Sequence, residues 1–130
     1  MKATVSWQNG LRFSCKTDTG HTLELDGNGE TMSPMESVLL SVGACSSIDV
    51  VDILKKSRKQ VDDCVCQLDA TRAEEAPRFF TAIHAHYIVK GEGLSEKNVA
   101  RAVQLSAEKY CSVMLMLAGN VEITTSYELA

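Results

Sequence analysis

Residues 33–56, SPMESVLLSVGACSSIDVVDILKK, and residues 95–119, SEKNVARAVQLSAEKYCSVMLMLAG, are two long apolar runs of helical character with one cysteine inside each. In the first, Ser33, Pro34 and Glu36 supply an N-cap, a proline at N1 and the N3 carboxylate of a capping box. From Val38 onward the run is apolar on almost every side, and it gains a polar, solvated face only through Asp49, Asp52, Lys55 and Lys56. A helix from Pro34 to about Arg58 is roughly 37 Å long at 1.5 Å per residue. A helix apolar all round must be buried all round, and this one exceeds what one small domain can wrap, so a second subunit is expected to cover it. The second run starts at Ser95, carries the stripe Val99, Ala102, Val103, Ala107 and Tyr110 into CSVMLML, and stops at Gly119 as a C′ glycine.

The flanking segments alternate with a period of two. Ala3, Val5 and Trp7, then Leu11, Phe13 and Cys15, then His21, Leu23 and Leu25 mark three short strands, with turns at Gly10 and Gly20. Residues 26–33, DGNGETMS, form a loop by composition. Residues 61–72 and 80–91 read as a long hairpin, and Val121 to Leu129 as a final strand.

With 130 residues and 45% apolar side chains, the chain builds one core, so residues 1–130 are read as a single domain. The opening MKATVSWQNG alternates rather than forming an export signal. No segment approaches the roughly 18 uninterrupted apolar residues of a membrane helix, which makes a cytoplasmic protein without a membrane partner the expectation. Five cysteines without an export signal read as reduced thiols, any disulfide being transient and functional. A net charge of −4 and scattered basic residues give no footprint for nucleic acid.

Cys45 sits among Gly43, Ala44, Ser46 and Ser47, small residues that allow close approach of a backbone or a substrate. On pattern alone a cysteine in an apolar helix is usually a small hydrophobe. A rival constellation is Cys64 and Cys66 opposite His84 and His86, two thiols and two imidazoles of zinc-ligand type. Register decides that question. Matching the apolar face Cys64, Cys66, Leu68, Ala70 to Ile83, Ala85, Tyr87, Val89 leaves the histidines on the opposite face. His21 reads as a boundary residue, and Met114 and Met116 as core packing that could also line an apolar pocket.

The motif Ser33-Pro34-x-Glu36 followed by Gly43-Ala44-Cys45, with eleven positions from Pro34 to Cys45, and the second cysteine in Glu108-Lys109-Tyr110-Cys111 resemble the OsmC/Ohr superfamily of thiol peroxidases. The order of strands and helices agrees over nearly the whole chain. The resemblance implies an α+β fold, with antiparallel sheets around two long central helices in an intertwined homodimer. It also implies a peroxidatic role for Cys45 and a resolving role for Cys111. An N-terminal arginine, here Arg12, would support the thiolate, held by a glutamate at the start of the first helix. Hydroperoxide resistance proteins place that glutamate directly after the proline. Here Met35 stands there and Glu36 follows, which points to a divergent OsmC branch. Relatives also commonly have proline after the second cysteine, where this chain has Ser112. The implied function is reduction of small or lipid hydroperoxides in oxidative-stress defence. It needs no bound cofactor, only an external dithiol or lipoyl-type reductant. The alternative is a non-enzymatic redox-sensing or small-molecule-binding protein of the same fold.

Overall fold

A computed structural model describes residues 1–130. The chain forms two compact units, Met1–Val38 and Leu39–Ala130. In the first, β1 (Ala3–Asn9), β2 (Arg12–Thr17) and β3 (Thr22–Asp26) make an antiparallel meander in the order β1-β2-β3. Gly10, at φ +50°, turns the first hairpin. Register aligns Val5 with Cys15 and Leu23, and Trp7 with Phe13 and Leu25, so one face of the sheet is apolar. That face flanks a cavity of about 360 Å³ lined by Val5, Leu11, Phe13, Cys15 and Leu25.

The loop after β3 is organised by one side chain. The Asp26 carboxylate accepts backbone N–H bonds from Asn28, from Glu30 at 2.9 Å and from Thr31 at 2.8 Å. The Asn28 bond first, opposed by burial and aided by the other two and by Arg12, holds this carboxyl below the usual range. The loop delivers the chain to Ser33, where the capping box forms as expected. Glu36 N–H donates to Ser33 Oγ at 3.1 Å, and Ser33 N–H to Glu36 Oε1 at 2.9 Å. Helix α1 (Pro34–Lys56) starts there.

In the second unit, β4 (Asp63–Arg72) and β5 (Phe80–Lys90) form the long antiparallel hairpin. Strand β6 (Glu122–Leu129) pairs with β5, giving the order β4-β5-β6. The expectation of antiparallel sheets holds for every pairing but this last, since β6 runs parallel to β5. The segment between them returns the chain to the same end of the sheet, the crossover that a parallel neighbour requires. Register places Cys64 opposite Val89 and Cys66 opposite Tyr87, while His84 and His86 lie opposite Asp69 and Gln67 on the other face. The core comprises Val42, Val50 and Leu54 of α1, Ile83, Ala85, Tyr87 and Val89 of β5, and Val99, Ala102, Val103 and Met114. Helix and sheet meet closely at Gly43, where an added Cβ would lie 2.7 Å from Leu68 Cδ1 and 3.7 Å from Cys66 Sγ.

The second apolar run departs most from expectation. It is not one long helix but α2 (Glu96–Leu105), a π-helical turn (Ser106–Tyr110) and α3 (Ser112–Leu117), with Cys111 extended between the last two at ψ 104°. The π turn inserts one residue into the helical count, so the buried stripe Val99, Ala102, Val103, Ser106 continues to Cys111. Tyr110, expected in the stripe, is 51% exposed for the same reason. Of the two methionines read as core, Met114 is buried and Met116 is 74% exposed.

Helix α1 is long and apolar enough to cross a membrane by length and composition, a test that core helices of soluble proteins also pass. It was expected to be buried all round. In the single chain, Leu40, Ala44 and Ile48, spaced four residues apart, instead form an exposed stripe.

Candidate thiol pair site

Cys45 lies in the middle of α1 and is partly exposed, whereas Cys111 is fully buried at the break before α3. The two thiols are in hydrogen-bond contact, both reduced. Burial is the largest influence on Cys111, and the hydrogen bond and charge of Cys45 act in the same direction. The N–H groups of Met114 and Val113 oppose them, and the thiol is pushed up to about 11. Cys111 is therefore a protonated thiol at neutral pH, able to donate to its neighbour. Its sulfur also accepts the Met114 N–H at 3.4 Å and so caps α3. Ser112, where relatives have proline, occupies the first helical position of α3, a position that suits proline because its N–H has no intrahelical acceptor.

Two buried serines, Ser46 and Ser106, lie beside the pair in the chain, one next to Cys45 and one bonded through its carbonyl to the Cys111 N–H. Ser46 donates to the Val42 carbonyl at 2.7 Å and accepts from the Tyr87 hydroxyl at 2.6 Å. Burial pushes the Tyr87 phenol well up, so it remains a donor. Ser106 donates to Asp49 Oδ2 at 2.9 Å, with the Ser46 carbonyl at 3.2 Å. Asp49 is thus not simply part of a solvated face, although Asp52 is, pairing with Lys56 at 2.8 Å. The sequence placed Tyr87 on an apolar strand face and Ser46 among the small neighbours of Cys45, but it did not show the bond between them, and Ser106 was missed. The available signal was a serine on an apolar stripe, since a buried hydroxyl must find a partner.

The remaining cysteines are not part of the pair. Cys64 and Cys66 are partly buried, and burial raises both thiols. Cys66 also bonds with Ser47 and Tyr87, both acting to lower it against the larger effect of burial. Cys15 belongs to the first unit. So do Arg12 and Glu36, which do not pair with each other. Arg12 Nε lies 3.4 Å from Glu24 Oε2, close enough for charge attraction but misaligned, leaving its buried N–H without a hydrogen bond. The carboxylate of Glu36 is engaged by Ser33, whose N–H and hydroxyl hold it below its ordinary value.

The OsmC-like protein family matches residues 27–126. The chain is 53% identical to Protein YhfA of Escherichia coli K12, over 99% of this chain and 98% of that one. Among solved structures, it resembles a hypothetical protein from Aquifex aeolicus with TM-score 0.90 and 34% identity, over 99% of this chain and 95% of that one. An organic hydroperoxide resistance protein from Legionella pneumophila shares the fold with TM-score 0.75 and 18% identity, over 98% and 95% of the two chains. A cysteine in the middle of α1, a second at the end of the crossover and agreement along nearly the full length thus lead to one conclusion: the chain belongs to the OsmC/Ohr superfamily.

Proposed function

We propose that the protein reduces organic hydroperoxides through Cys45 and Cys111, as a single OsmC-like domain of 130 residues. The observation that carries this reading is the contact between a partly exposed thiol and a fully buried one. Cys45, the less buried of the two residues, is assigned the first attack. Its thiolate attacks the O–O bond, alcohol leaves, and Cys45 becomes a sulfenic acid. Cys111 then captures that sulfenic sulfur as a disulfide, and an external dithiol or lipoyl-type reductant restores both thiols. The hydroperoxide-resistance name of the Legionella relative supports the substrate class. The assignment of Arg12 as the cation that supports the thiolate, with Glu36 as its partner, rests on the family resemblance alone. The site needs no bound cofactor, and the protein works in the cytoplasm.

A second reading, redox sensing or small-molecule binding without turnover, draws on a specific observation. Glu36 is engaged in the helix cap and Arg12 with Glu24, so neither holds the other. Steady-state consumption of cumene hydroperoxide with dithiothreitol separates the two. Sustained turnover is expected, and a single equivalent consumed per chain would favour sensing.

The exposed stripe Leu40, Ala44, Ile48 points to a homodimer, because an apolar helix face of this length is covered in a stable protein. Sedimentation at micromolar concentration should show a dimer. A stable monomer would contradict the assignment.

A further inference from the structure

We propose that Ser106 and Asp49 form a positioning clamp that sets how fast Cys111 closes on oxidised Cys45. This inference rests on the reading of the two cysteines as a redox pair.

Ser106 is 1% exposed and makes two kinds of contact. Its hydroxyl reaches α1, donating to Asp49 at 2.9 Å with the Ser46 carbonyl at 3.2 Å. A carboxylate acceptor makes the first of these a charge-assisted bond, the stronger type. Ser46 directly follows Cys45, and Asp49 lies one helical turn beyond it on the same face. The Ser106 carbonyl accepts the Cys111 N–H at 2.8 Å, the bond that closes the π turn. One residue therefore grips the Cys45 turn with its side chain and the Cys111 backbone with its carbonyl. The π turn is what makes both grips compatible. With ordinary helical spacing, Tyr110 rather than Cys111 would continue the buried stripe.

The step affected is closure: Cys45–SOH and Cys111–SH give the disulfide and water. The S–S bond forms as the S–O bond breaks, and the thiol proton leaves with the hydroxide. The Cys111 sulfur is oxidised and the sulfenic sulfur reduced by equal amounts. Such a step depends steeply on placement, since a misplacement of about 1 Å can cost roughly a hundredfold.

The test is quenched-flow oxidation of reduced protein with one equivalent of cumene hydroperoxide. Sulfenic acid is trapped with a cyclic 1,3-diketone and disulfide is counted by peptide mapping. Ser106→Ala and Asp49→Ala should slow closure at least about tenfold while sulfenic acid forms at nearly the wild-type rate. Asp49→Asn keeps an acceptor oxygen and should restore near-normal closure, while the double variant should be no slower than either single one. Wild-type closure in Ser106→Ala, or an Asp49→Asn variant as slow as Asp49→Ala, would overturn the clamp. If wild-type protein forms no sulfenic acid at all, the peroxidase reading fails. The clamp is then read from the equilibrium of the Cys45–Cys111 disulfide with glutathione. A loss of about tenfold in effective thiol concentration in Ser106→Ala supports it, and no change overturns it.

Discussion

Cys45→Ser should reduce peroxide consumption to that of buffer alone, whereas Cys111→Ser should still react once and stop as a trappable sulfenic acid. The asymmetry follows from access and protonation. Cys45 is partly exposed, while Cys111 is fully buried and protonated at neutral pH, its thiol pushed up to about 11. A thiol is a poor nucleophile and a thiolate a good one, so the buried member cannot make the first attack. The same initial-rate assay tests the cation. Arg12→Ala should slow the first attack at least about tenfold, a loss of about 1.4 kcal/mol of transition-state stabilisation. An unchanged rate would remove Arg12 from the site. Equal initial rates in the two cysteine variants would refute the order of attack altogether.

The second large effect is on pH. Closure requires the Cys111 thiol to lose its proton, and three influences hold that proton on: burial first, then the hydrogen bond and the charge of Cys45. Oxidation of Cys45 to an uncharged sulfenic acid weakens the last two, but burial persists. The sign is therefore fixed. A raised thiol is mostly protonated at neutral pH, so raising the pH raises the thiolate fraction and speeds closure. Well below the thiol's titration point the gain approaches tenfold per pH unit, and closure should accelerate by about that factor between pH 7 and 8. Cys45→Ser should in turn let Cys111 titrate below about 11, since two of the raising influences vanish. Rapid-quench measurement of disulfide against pH checks the first point, and a flat profile would mean that Cys111 thiolate is not the attacking group.

Local signals carried much of the architecture. The Ser33–Glu36 box, the three alternating strands and the hairpin register were all readable, because each depends on residues adjacent in sequence or on one apolar face. The parallel β6 was not, since strand direction is set by the crossover and not by alternation within the strand. The break at Cys111 was also hidden. A π turn adds one residue without altering composition, and the apolar run looks continuous through it. Within the site, the cysteines could be picked out only through the family resemblance, because a thiol in an apolar helix is otherwise a core residue. Asp49 read as part of a solvated face and Ser106 escaped notice, because their bond joins residues 57 positions apart. No periodic pattern reports such a pair.

The most direct measurement is peptide mapping of reduced protein after one equivalent of cumene or tert-butyl hydroperoxide. Cys45 should be joined to Cys111, with Cys15, Cys64 and Cys66 still reduced, since desolvation raises the Cys64 and Cys66 thiols and disfavours their reactive thiolates. A link between Cys64 and Cys66, or no loss of thiol, would contradict the account.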